Sequence, residues 1–269
     1  MLKIRLHSQY NHFPHLIAEG GERAVEMYND GKIWEAFQSK PHGECALLIE
    51  PRPLQPETYW MLETKYKRFQ YIFTHDSQLL AIAPNAKPIY YWRDYEMNNE
   101  EKTKDISMIC GAKKLCSLHT ERMKLAEVLK NKIDVLGDIW GQPRVSIHDA
   151  YAPYRFAVVV ENHIDNRWFT EKILNCFSNR TVPIYFGARD IDKVFYKQGI
   201  IQAENLWDIP QIVDNILKNG ADAEYSVRKE GIWLNSEVIY AYSDFEDYMI
   251  KEYGSLLEEM MEDAECLKA

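Results

Sequence analysis

Residues 154–187, YRFAVVVENHIDNRWFTEKILNCFSNRTVPIYFG, decide the fold class of this chain. FAVVVE (156–161) is a short, continuous apolar run ending in a carboxylate, the pattern of a parallel strand buried on both faces. A polar loop, HIDNRWF, follows. A helix then opens, with Thr170 placed to accept a hydrogen bond from a first-turn amide and with Ile173, Leu174 and Phe177 as its apolar side. TVPIYF (181–186) is a second buried strand, closed by Gly187. Strand, loop, helix, strand is the repeating unit of a parallel sheet. Ligands bind such sheets at the carboxyl ends of the strands, where Glu161 and Asn162 fall.

The same alternation extends in both directions. Toward the N-terminus, strands are expected at 2–6, 45–50 (CALLIE), 69–74 (FQYIFT), 106–110 and 133–137, with an extended segment at 88–92. Helices are expected at 20–36, 56–66, 77–81 and 120–130, the last capped by Thr120. Residues 95–104, YEMNNEEKTK, are polar and without apolar periodicity, which marks a linker. Beyond Gly187 come an amphipathic helix at 209–218 and acidic helices to the C-terminus. The pattern predicts an α/β protein of two Rossmann-like domains facing a cleft, at 1–100 and 101–269.

Composition narrows the function. With 269 residues, 46% hydrophobic and 27% charged, the chain is long enough to fold without staples. A net charge of −9 argues against a nucleic-acid partner, which demands a positive footprint. The five cysteines include no CxxC pair and read as free thiols. The N-terminal apolar run is too short for a signal peptide, and no stretch reaches the roughly 18 apolar residues of a membrane span. The expectation is a cytoplasmic protein, with membrane contact limited at most to surface docking.

The start of the 170–177 helix combines free amides, the positive end of the helix dipole and Lys172, a combination that suits a pyrophosphate. A capped helix after a strand is also the ordinary furniture of any α/β protein. A longer pattern separates the two readings. Glu161-Asn162, Thr170-Glu171-Lys172, Val182-Pro183-Ile184 and Gly187, at these spacings, resemble the donor-binding signature of glycosyltransferase family 10, the α-1,3-fucosyltransferases. Trp168 and Phe169 stand where that family carries Tyr and Val. Residues 106–129, ISMICGAKKLCSLHTERMKLAEVL, resemble the family's strand and loop ahead of an arginine-bearing helix.

The resemblance implies a GT-B architecture and an inverting transfer, most simply of L-fucose from GDP-fucose to a glycan hydroxyl, with no added cofactor or metal. It implies that Arg122 and Lys172 bind the pyrophosphate and that Thr170 caps the anion-binding helix. Glu171 would hold a ribose or sugar hydroxyl, and Asn162 and Trp168 would line the donor pocket. It also points to Glu50, in LLIEPRPLQPETY, as the base that takes the acceptor proton. The competing reading of Glu50 is a solvated loop charge paired with Arg52. Glu57, His75 and Asp76 are the nearby substitutes. Two other functions stay open: transfer from another GDP-sugar, such as a GDP-dideoxyhexose, and binding of nucleotide or glycan without transfer. His7, His12 and His15 lack partners at metal-ligand spacing and fit better as a loop beside the acceptor.

Overall fold

The computed structural model describes residues 2–8, 24–38, 43–92, 95–241 and 244–266. They form two compact units, Met1–Arg93 with Tyr242–Ala269, and Asp94–Ala241.

Unit 1 contains β1 (Ile4–His7), β2 (Val25–Asn29), α1 (Ile33–Ala36), β3 (Cys45–Leu48), α2 (Pro56–Lys65), β4 (Tyr71–Thr74), α3 (Ser77–Ile82) and β5 (Ala86–Pro88). The five strands form one parallel sheet in chain order. All four residues of β3 are buried, so both faces of the sheet must be covered. Ala46, Leu48 and Ile72 pack on one face with Tyr59, Leu62 and Leu79 from α2 and α3.

Cys45, Leu47 and Phe73 point to the opposite face, and a helix from the far end of the chain covers it. Tyr253 lies with its ring 5.0 Å from that of Phe73 and donates to the Pro88 carbonyl. Tyr248 accepts from the Tyr90 amide at 3.2 Å, and Met260 reaches the Cys45 thiol at 3.6 Å. The C-terminal segment therefore belongs to unit 1, whereas the sequence reading grouped it with the second domain. A second correction concerns residues 24–36, expected as helix. They begin as β2, whose burial alternates along VEMYN with the period of a strand. Only a short helix follows.

Unit 2 contains β6 (Lys104–Ile109), α4 (Ser117–Leu129), β7 (Asp134–Leu136), α5 (Ile147–Tyr151), β8 (Tyr154–Val160), α6 (Glu171–Ser178), β9 (Val182–Phe186), β10 (Ile201–Gln202), α7 (Ile209–Asn219), α8 (Ala221–Ser226) and α9 (Lys229–Tyr240). The final helix, α10 (Phe245–Cys266), is the one that completes unit 1. The second sheet is parallel throughout, in the order β10-β9-β8-β6-β7. Successive strands run to one side of β6 and then to the other. The order thus reverses between β6 and β8, which makes their carboxyl ends the topological switch point of the sheet.

The expected linker at 95–104 is tied down on unit 2. Asn98 donates its amide to the Ser178 carbonyl at 2.8 Å. The Lys102 ammonium is spent on the carbonyls of Ala152 (2.7 Å) and Asn179 (2.6 Å), and burial pulls its pKa down to about 8. At α4 the cap differs from expectation. The helix begins at Ser117, so Thr120 lies inside its first turn. There the His119 Nδ1 accepts from the Leu115 amide at 3.1 Å. Among the described residues no helix is long and apolar enough to cross a membrane.

Candidate functional site

The switch point of unit 2 gathers most of the residues singled out in the sequence. Arg122, in the second turn of α4, is buried and reaches across to the end of β8. Its Nη1 donates to the Val160 carbonyl (3.2 Å) and to Asn162 Oδ1 (3.1 Å). Its Nε is buried and has no hydrogen-bond partner among the described residues. The Cys116 thiol donates to the Asn162 carbonyl at 3.3 Å, which ties the loop after β6 to the loop after β8.

Glu161, the first residue past β8, is fully buried. Its Oε1 accepts from the Thr170 amide at 2.9 Å. The Thr170 hydroxyl lies 2.9 Å from Oε2, and the Lys172 ammonium lies 3.2 Å from the same oxygen. Thr170 Oγ1 in turn accepts from Lys172 Nζ (2.8 Å) and from the Lys172 amide (3.4 Å), which makes Thr170 the N-cap of α6 as expected. Burial pushes the Glu161 carboxyl up, while Lys172 and the Thr170 donors oppose that shift. Burial would also strip the proton from Lys172, but the charges of Glu161 and Glu171 outweigh it and hold the pKa above its ordinary value. The Glu171 side chain is 40% exposed. Burial raises its pKa, and Lys172 and its own amide more than reverse this, so it stays ionised.

His119 sits one turn before Arg122. Burial, then the charges of Arg122, Lys172 and Lys113, drive its pKa down against a hydrogen bond that the ring donates to Asn162, so the ring is neutral at physiological pH. Two cations, a neutral imidazole, an amide side chain and the N-terminus of α6 therefore share one strand end. Such a set can neutralise a diphosphate and hold its charge as it grows.

Trp168 is in the same loop but only 3% exposed, its ring centroid 6.0 Å from that of His163. It stands inside the wall of the site. Gly187 closes the site from β9. A Cβ there would collide with the Tyr185 hydroxyl and come within 2.6 Å of Glu161 Cγ. Gly187→Ala is expected to cost about 1–3 kcal/mol of stability, read from urea denaturation. An unchanged midpoint would mean that Tyr185 swings away and that the close approach is dispensable.

Glu50 belongs to unit 1, in the turn after β3. Its amide donates to Asp30 Oδ1 at 3.1 Å, and its carbonyl accepts from the Tyr59 hydroxyl at 2.9 Å. Arg52 does not serve it as counter-ion. The guanidinium is committed to Asp76 (3.0 and 2.7 Å) and Glu63 (2.6 Å). Asp76 also caps α3, and His75 Nε2 lies 3.3 Å from the Tyr59 hydroxyl. His7 pairs with Glu26 at 2.7 Å and stacks on Tyr28; His12 and His15 lie outside the described residues. No group of three or more His, Cys, Asp or Glu able to hold a metal occurs among the described residues.

Sequence reasoning missed Glu161 as the hub of the site, His119 and Asp30. Glu161 was legible as a polar group at a strand end, and His119 lies three residues before Arg122 on one helix face. Asp30 was hidden by the helix expected there.

The fold resembles those of several solved structures. A structure of an α1,3-fucosyltransferase with GDP is 11% identical, with a TM-score of 0.57 over 94% of this chain and 84% of that one. One with GDP-fucose is 13% identical, with a TM-score of 0.54 over 91% and 80%. TarM is 9% identical, with a TM-score of 0.59 over 87% of this chain and 54% of its own. No curated protein matches the chain by sequence. The fold is that of the GT-B glycosyltransferases. Residues 99–228 match the model of the C-terminal region of glycosyltransferase family 10 (fucosyltransferase).

Proposed function

We propose that the protein is an inverting glycosyltransferase that moves L-fucose from GDP-fucose to a hydroxyl of a glycan acceptor. The observation that carries this reading is the convergence of Arg122, Lys172 and the N-terminus of α6 on the switch point of unit 2. Unit 2 binds the GDP-sugar and unit 1 receives the acceptor. Asn162 orients Arg122 toward the diphosphate, Glu171 takes a ribose or sugar hydroxyl, and Trp168 backs the donor pocket.

In the transfer, the acceptor oxygen forms its bond to the anomeric carbon as the bond to the diphosphate oxygen breaks. The electron pair of that bond leaves with GDP, and Arg122 and Lys172 offset the charge. The acceptor proton passes to the Glu50 carboxylate. Because the side chains supply the positive charge, the reaction as proposed needs no metal. Cys45, Cys110, Cys116 and Cys176 are free thiols, which suits a reducing compartment, and we place the reaction in the cytoplasm.

Trp168 favours a second reading. With no phenol at that position, a hydroxyl contact to the sugar is lost, and a GDP-sugar with fewer hydroxyls becomes a competing donor. Calorimetric titration with GDP, GDP-fucose, GDP-mannose and UDP-glucose, without added metal, tests both. Binding of guanine nucleotides alone is expected, followed by transfer from GDP-fucose in an acceptor screen. Guanine-nucleotide binding without turnover of GDP-fucose would favour the second donor class or a binding protein. Failure of all four to bind would overturn the GDP-sugar site.

A further inference from the structure

Asp30 follows β2 in unit 1 and is 1% exposed. Its backbone is left-handed, with φ of 48°, a conformation that L-residues adopt at a cost and that Asp tolerates better than most. Its Oδ1 accepts two amides from the turn after β3, Ile49 at 3.0 Å and Glu50 at 3.1 Å. Its Oδ2 is buried and has no hydrogen-bond partner among the described residues.

An asparagine would accept the same two amides through its carbonyl without burying a charge. Aspartate is the costlier choice, because a buried carboxylate short of partners is penalised by desolvation. Burial pushes the carboxyl up to about 7, against the two amides and the Asn29 side chain, and the charge of Glu50 raises it further. The groups facing it are Asn29 from β2, Glu50 and the two amides from the end of β3, and the Tyr59 phenol from α2. Beyond Tyr59, Arg52 lies over the phenol ring and is taken by Asp76 and Glu63.

We propose that Asp30 is the positioning residue for Glu50: it clamps the turn that presents the Glu50 carboxyl and, when ionised, sets a negative charge behind it that makes Glu50 a stronger base. The proposal rests on the reading of Glu50 as the base. The Asp30 proton goes to solvent near neutrality, and the proton affinity of Glu50 rises in response. Wild-type turnover should then climb through neutral pH.

The test is carbon-13 NMR of the full chain labelled at the Asp and Glu carboxyls, with pH profiles of kcat, for wild type and Asp30→Asn. In the wild type the Glu50 resonance should show a second step near neutrality, and Asp30→Asn should abolish it. The variant should bind GDP as the wild type does, lose the rise in kcat across neutrality and turn over about tenfold more slowly, part of what a general base contributes. Stability gives an independent sign. A carboxyl raised on folding contributes fully below its unfolded value near 4, and that contribution is lost as pH rises through about 7. Asp30→Asn should flatten this loss.

A Glu50 curve identical in both proteins would overturn the proposal. Should Asp30→Asn fail to fold, a single-step Glu50 curve in the wild type would do the same. Absence of sugar transfer by the wild type would instead count against the proposed function, while the titration would still decide the coupling.

Discussion

Replacing Lys172 with Ala is expected to lower kcat/KM by roughly 10²–10³-fold, the scale for removing one preorganised stabilising group from a transition state, and to destabilise unit 2 as well. The two effects share one physical cause. Lys172 is the only ammonium drawn to the fully buried Glu161 among the described residues. Breaking a buried pair leaves an uncompensated charge and costs about 3–5 kcal/mol. The Lys172 side chain is 22% exposed, so water reaches the pair and the lower end applies. The same ammonium is the group that would meet the departing diphosphate.

A second variant separates the roles. Lys172→Ala with Glu161→Gln removes the orphaned charge, because Gln still accepts from the Thr170 amide through its carbonyl. Most of the lost melting temperature should return in this double variant while activity stays low. Recovery of both would show that Lys172 serves the fold and that the diphosphate is held elsewhere.

Glu50→Gln is expected to lower kcat by about 10³-fold, within the range for losing a general base, with GDP affinity unchanged. The substitution keeps the backbone contacts that hold the turn, namely the amide on Asp30 and the carbonyl on Tyr59. Only the proton acceptor is lost, so KM for the donor should not move. The effect should extend to donor hydrolysis, in which water replaces the acceptor hydroxyl and must give up a proton in the same way. Turnover at the wild-type rate would remove Glu50 as the base. His75 would then be tested next, since Asp76 is already occupied by Arg52 and by the first turn of α3.

Much of the candidate site is legible in the amino-acid sequence. Thr170 reads as a cap because its neighbours in sequence are the groups it serves, and Lys172 and Glu171 follow it directly. Glu50 reads as a strand-end carboxylate because CALLIE is buried and Pro51 stops the strand. The partners of these groups are not legible there. Arg122 finds its carbonyl 38 residues away, at Val160, and no spacing rule sets that pairing. Asp30 meets the Glu50 amide 20 residues along the chain, because β2 and β3 lie side by side in parallel register.

By itself, the sequence determined the parallel α/β class, most of the strands, the cap of α6 and the resemblance of residues 99–228 to family 10. These follow from apolar runs, turn residues and caps, whose physics acts over a few neighbouring positions. The tertiary structure alone decided the rest. It joined α10 to unit 1, because the Cys45–Phe73 face of that sheet needs a cover and the chain supplies one from its far end. It made Glu161 the hub of the candidate site in unit 2, because a buried carboxylate at a strand end must collect its donors from whatever folds over it. It also set Asp30 beneath Glu50, a contact that exists only once two strands have paired.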